Sequence, residues 1–348
     1  MAVTKELFGK LKDGSEVYKF SIENKNGMKA VVTNLGAILV NLYVPDKKGK
    51  IADVVIGYDK LHMYVMNSCF FGCTVGPIAN RIGKAQYKLD GKTVKMEVND
   101  HKVNNLHSSL KKGFQKRLWD AETGKDSVTF SLTKKDGDLG PGKMKVSVTY
   151  TLTSKNELKL TYHADSDKKA VINMTNHSYF NLSGQKSNSI LDTKVKIHAD
   201  QITETDRYLI PTGNMLDVKG TPADFTEFKK IGKDIDRVDF KPVKYAHGFD
   251  FNYAIKGYNG KKKLAAEVED PKSGRRMEVY TDLPGVQFYT GAWIKDTAGK
   301  EGYRNGKNKG FCLETQYFPD AINHDNFVQP VFGSGKDYYT ETVYRFYW

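Results

Sequence analysis

Residues 144–152 alternate without a break. Met144, Val146, Val148, Tyr150 and Leu152 fall on one side, and Lys145, Ser147, Thr149 and Thr151 on the other. A strict period of two suits a strand with one buried face; wound into a helix, the same residues would scatter their apolar groups all round. Ser154-Lys155-Asn156 supplies a polar turn, and Leu158, Leu160, Tyr162 and Ala164 resume the alternation, so the pair reads as an antiparallel hairpin. Val128, Phe130 and Leu132 in 127–133, and Val195, Ile197 and Ala199 in 193–199, keep the same rhythm. Asp90-Gly91 marks a tight turn between Tyr87-Lys88-Leu89 and Thr93-Val94. Helical periodicity is scarce. One short helix is expected after Asp59, whose side chain would cap Lys60 to Tyr64. Another is expected over Pro222 to Phe228, with proline at its first position. Many short strands separated by Gly, Asn and Asp turns predict an all-β fold, a sandwich or barrel. No Pro- or Ser-rich linker and no fixed-period repeat interrupts the chain, so residues 1–348 are expected to form one large antiparallel domain.

Composition narrows the function classes. Hydrophobic residues make up 39% and charged residues 27%, a globular balance. No apolar run approaches the roughly 18 residues of a membrane helix, and no apolar segment follows Lys5, Lys10 and Lys12 to make a secretory signal. The net charge is +13. The basic residues are spread along the chain, and the runs Lys111-Lys112 and Lys261-Lys262-Lys263 suit exposed turns, so no nucleic-acid partner is expected. Three cysteines, Cys69, Cys73 and Cys312, suit a reducing, cytoplasmic setting better than a disulfide framework. Cys69 and Cys73 have no second pair to complete a zinc site.

Four segments break the rhythm of lysine, threonine and aliphatics with dense polar groups. In Gly72 to Ile82, Arg81 sits among apolar neighbours; a guanidinium there either pairs with a carboxylate or donates to a ligand oxygen. Asn104-Asn105-Leu106-His107-Ser108-Ser109 places a histidine in a loop of small polar residues, where a structural role and a ligand-facing one are both open. In Asn173 to Leu182, polar and aromatic residues surround His177, either a proton shuttle or a hydrogen-bonded core histidine. In Phe311 to Asp320, Glu314 follows apolar residues; a partly buried carboxylate must be paired or functional. His247-Gly248-Phe249-Asp250 adds a carboxylate that could accept hydroxyls or shape a turn. A phosphate loop at Gly333-Ser334-Gly335-Lys336 fails because Asp337 stands where Ser or Thr is needed, and no G-x-S-x-G elbow is present.

At these residues the chain resembles the aldose 1-epimerase family over nearly its whole length, from Val32-Thr33-Asn34-Leu35-Gly36-Ala37 to Glu341-Thr342-Val343-Tyr344-Arg345-Phe346. The most specific stretches are Thr175 to Gly184 and Cys312 to Ala321, with support from Gly285 to Gly291 and Ala79-Asn80-Arg81-Ile82. The resemblance implies a galactose mutarotase-like antiparallel β-sandwich with a monosaccharide in an open groove. It implies Glu314 as general base and His177 as general acid, with Arg81, His107 and Asp250 binding sugar and Asn80 and Gln287 close by. The reaction would remove the C1 hydroxyl proton, protonate the ring oxygen, open the ring and reclose it on the other face. One acid and one base suffice, without metal or nicotinamide. His177 would start protonated and Glu314 ionised, each charge favouring the other.

The sequence departs from the family pattern at Pro77, where an arginine is usual, and at Ser108-Ser109, where two glycines are usual; both bear on sugar preference. The competing readings are a non-catalytic carbohydrate-binding protein on the same fold and a hexose-phosphate mutarotase. The expected assembly is a monomer or homodimer, with no membrane partner.

Overall fold

The alternating stretches become the centre of a nine-stranded sheet. The computed structural model describes residues 3–348. In it, Met144–Leu152 pairs antiparallel with Glu157–Ser166, with Val148 opposite Tyr162 and Leu152 opposite Leu158. Ser127–Lys134 lies on one side of this hairpin and Tyr338–Tyr347 on the other. Arg276–Thr281, Lys263–Glu269 and Lys194–Ile197 extend the sheet. Period two is therefore a literal record of packing: residues that share a face in sequence share it in space.

Two five-stranded sheets and five two-stranded ribbons complete the architecture of the described residues. One five-stranded sheet joins Thr4–Lys10, Glu16–Glu23, Lys29–Thr33, Ile38–Pro45 and Ile51–Asp53 in chain order. The other has the order Pro211–Asp217, Gln201–Thr205, Asp250–Ala254, Gly285–Tyr289, Cys312–Gln316. The main core cluster draws on all three large sheets, including Phe20 and Val32, Val148 and Tyr344, and Phe251, Phe288 and Leu313. Each such side chain contributes about 1.5–3 kcal/mol when fully buried. The fold is the expected antiparallel β-sandwich.

Local expectations fared unevenly. Asp90 and Gly91 do form the tight turn, both at positive φ (47° and 75°), between Gln86–Leu89 and Lys92–Lys95. The first helix runs Leu61–Met66, but Lys60 is its N-cap and no side chain caps it. Asp59 instead accepts the backbone N–H of Glu301 at 2.6 Å. Pro222 to Phe228 is not helical. Asp224 accepts the N–H groups of Gly220 and Thr226 at 3.0 and 3.1 Å, a local turn that competes with helical bonding. The second helix is Lys241–Ala246, with Pro242 in its first turn and His247 ending it at a φ of 57°. Among the described residues, no helix is long and apolar enough to cross a membrane.

Candidate active site

The second five-stranded sheet has one apolar and one polar face. Phe251, Tyr253, Val286, Phe288 and Leu313 turn into the core. Their neighbours turn the other way, and cross-strand register sets them in rows: Asp250 opposite Tyr289 opposite Cys312, then Asn252 opposite Gln287 opposite Glu314. Directly opposed residues share a face, so three strands present a continuous polar surface. The period of two in Cys312-Leu313-Glu314-Thr315-Gln316 carries this signal, inverted from that of an ordinary half-exposed strand.

Two further segments close over that surface. Thr175–Asn176 pairs with Thr74–Val75 and delivers His177, whose N–H donates to the Cys73 carbonyl at 2.8 Å. Arg81–Ile82 pairs with Asn105–Leu106 and delivers Arg81 and His107. Gly72 is essential to the first crossing. Its φ is +69°, and a Cβ there would stand 2.1 Å from the Leu39 carbonyl oxygen. Its own N–H donates to the His177 carbonyl at 3.0 Å.

The result is a cavity of about 460 Å³ lined by Asn80, Arg81, His107, His177, Asp250 and Glu314, among others. Six of the seven residues singled out from sequence therefore meet in one place. Gln287 stands behind the wall: its amide donates to Asp250 Oδ1 at 2.6 Å and its Oε1 accepts from Gln316 at 3.2 Å. Pro77, Ser108 and Ser109 are not among the lining residues. Ser108 Oγ is bonded to both the N–H and the carbonyl of Ile78, at 2.8 and 2.9 Å, which pins the loop that carries His107.

His177 Nε2 lies 3.6 Å from Glu314 Oε1, with both side chains almost wholly buried. Glu314 Oε2 has no hydrogen-bond partner. Burial pushes the Glu314 carboxyl well above its ordinary range; the Asp250 charge adds to this and Arg81 opposes it. Burial pulls His177 down to about 4, with a smaller upward pull from its own backbone carbonyl. Both shifts favour the neutral forms, against the sequence expectation of an ion pair. The reason is desolvation, which penalises each charge more than the partner at 3.6 Å repays.

Arg81 pairs with carboxylates, the first of its two alternatives, and it does so at the cavity wall. Its Nε lies 3.3 Å from Asp100 and its Nη1 3.8 Å from Asp250, and it lines the cavity. Burial raises Asp250, while Arg81 and then Gln287 pull it back. Asp100, missed in the sequence, gave no signal because it sits in a polar loop without alternation. His107 Nδ1 accepts the Asn80 N–H at 3.1 Å, which leaves its Nε2 as the donor of the neutral ring. Burial, His177 and Arg81 together hold His107 well below its ordinary value. The Phe70 ring centroid stands 4.7 Å from that of His107 and 5.8 Å from that of His177, an apolar wall over both imidazoles. Trp293, 53% exposed, is a further lining residue.

His177, Cys312 and Glu314 bring three metal-type donor atoms within 4.8 Å of one another. The sulfur and the carboxylate, however, approach opposite nitrogens of one ring. That is a poor match to a zinc site, where all ligands face one ion at about 2.0–2.3 Å.

Comparison with known proteins places this geometry. The family model for aldose 1-epimerase matches residues 18–345. The chain belongs to the aldose 1-epimerase family. It is 40% identical to galactose mutarotase from Bos taurus, covering 99% of both chains, and 33% identical to aldose 1-epimerase from Escherichia coli, covering 96% of both. The crystal structure of an aldose epimerase homologue from C. elegans superposes with a TM-score of 0.85 at 30% identity, covering 94% of this chain and 98% of that one. Galactose 1-epimerase from Lactobacillus acidophilus gives 0.85 at 26% identity, covering 99% and 98%. As a member of the aldose 1-epimerase family the chain is an isomerase acting on a monosaccharide.

Proposed function

We propose that this aldose 1-epimerase interconverts the α and β anomers of free galactose and glucose, with Glu314 as general base and His177 as general acid. One observation carries the reading: a buried imidazole and carboxylate 3.6 Å apart in a cavity, with Glu314 Oε2 left unpartnered. A sugar C1 hydroxyl donating to that oxygen supplies the missing bond. Hydrogen bonds to a carboxylate favour its charged form, so the substrate itself would draw the shared proton from Glu314 toward His177. The expected ion pair then forms on binding.

Ring opening follows from these positions. Glu314 takes the proton from O1 as the C1–O1 bond becomes a carbonyl. The C1–O5 bond breaks, and His177 Nε2 gives its proton to O5. Rotation about C1–C2 presents the other carbonyl face. The reverse transfers close the ring on that face. Each positioned proton transfer contributes about 10²–10⁴-fold. Arg81, His107, Asn80 and Asp250 would hold the other hydroxyls, with Gln287 fixing Asp250.

Asp100, Asp250 and Glu314 surround Arg81 and disfavour a phosphorylated sugar at that guanidinium; Arg207 is the second arginine of the lining. The retained His177–Glu314 pair argues against a non-catalytic sugar-binding protein. Three free cysteines support a reducing cytoplasmic compartment. The dispersed basic residues support neither a nucleic-acid nor a membrane partner, and a monomer or homodimer fits the family reading. One core cluster running from Phe20 to Phe346 supports a single folding unit.

Polarimetry tests the proposal. Added protein should speed the approach of α-D-galactose and α-D-glucose to equilibrium far more than that of a hexose 6-phosphate. Tight sugar binding by calorimetry with no gain in mutarotation rate would overturn it.

A further inference from the structure

The geometry points to Cys312 as a positioning residue that engages Nδ1–H of His177 and leaves Nε2 as the nitrogen that gains and loses the proton. This rests on the reading of His177 as the acid.

Cys312 and Glu314 are two residues apart on one strand, so both side chains leave the same face. His177 lies across them. Its Nδ1 is 3.5 Å from the Cys312 sulfur and its Nε2 is 3.6 Å from Glu314 Oε1. The two ring nitrogens thus have separate partners, both from one rigid element. An imidazole serves as a directed acid only when one nitrogen is held and the other is free to exchange its proton.

The sulfur suits the task better than a carboxylate would. In Ser–His–Asp sites the third member is an anion, which stabilises the imidazolium. Here burial, as the largest cause, holds the Cys312 thiol well above its ordinary range, so it stays neutral. A neutral, soft acceptor orients the ring while raising its proton affinity less than an anion would. His177 then remains a strong enough acid to protonate a ring oxygen. Cys312 is completely buried, and this contact gives its sulfur a defined role.

Long-range ¹H–¹⁵N correlation spectra of the ¹⁵N-labelled full-length protein at pH 7 read the tautomer directly, with His177 assigned by loss of its signals in His177→Gln. The wild type should show His177 with the proton on Nδ1. Cys312→Ser should keep that tautomer, because a hydroxyl oxygen also accepts. Cys312→Ala should shift the ring toward a mixture. It should lower kcat about threefold to tenfold, the equivalent of one neutral hydrogen bond, with KM little changed. A wild-type His177 with its proton on Nε2 overturns the proposal, and so does a Cys312→Ala spectrum identical to wild type. The wild-type spectrum alone decides if Cys312→Ala does not fold. Absence of mutarotation in the wild type would sink the functional reading while leaving the spectra to test the contact.

Discussion

At the scale of single residues, the site's cost is desolvation, and it has a sign. His177 titrates at about 4 when folded, against about 6.5 in an unfolded chain. Below pH 6.5 the unfolded chain therefore binds a proton that the folded one refuses. Stability falls as pH drops from 6.5 toward 4, by about 3 kcal/mol for this group in full. Urea unfolding at pH 7 and pH 4 should show a smaller loss for His177→Gln than for wild type; an equal loss contradicts the assignment. Glu314 works in the opposite direction. Its folded value is raised, so folding is penalised as pH rises above the unfolded carboxyl value of about 4.3. Glu314→Gln should accordingly raise the urea midpoint at pH 8, a gain in stability at the expense of activity. A lowered midpoint would mean the carboxylate is better accommodated than its burial indicates. The identities of His177, Glu314, Arg81, His107, Asp250 and Asn80 as a set were legible in the sequence through their motifs. Their protonation was not, because it depends on how completely the surrounding strands exclude water.

At the scale of elements, the sequence spoke most clearly where one face is buried and the other exposed. Met144–Leu152 could be delimited to the residue for that reason. Asp250–Ala254, Gly285–Tyr289 and Cys312–Gln316 carry the same alternation, but both faces are covered, one by the core and one by the site. Exposure contrast is lost there, so Gln287's place behind Asp250 and the Cys312 contact were illegible. Pro222 to Phe228 misled because proline followed by acidic residues marks a helix start and a turn alike, and Asp224 decided for the turn. The crossing at Gly72 offers an element-scale prediction. Gly72→Ala forces a Cβ against the Leu39 carbonyl at a φ of +69°. Thermal or urea unfolding should show a loss of at least about 1–2 kcal/mol, together with reduced turnover because the backbone N–H that holds the His177 carbonyl is displaced. Wild-type stability would show that the crossing has slack.

At the scale of the whole molecule, the pairing order of the sheets was beyond reach of local patterns. Tyr338–Tyr347 enters the large sheet beside Glu157–Ser166, more than 170 residues earlier in the chain. Such pairings are set by the total core rather than by any one segment. The shared cluster of three sheets predicts one cooperative unfolding transition, with coincident curves from tryptophan fluorescence and far-ultraviolet circular dichroism. Two separated transitions would divide the chain into independent units. The central claim, that the His177–Glu314 pair moves the protons of anomer exchange, is tested most directly by polarimetry of α-D-galactose with Glu314→Gln. A folded Glu314→Gln protein should lose about 10²–10⁴-fold in kcat; turnover within a few-fold of wild type would contradict that role for the pair.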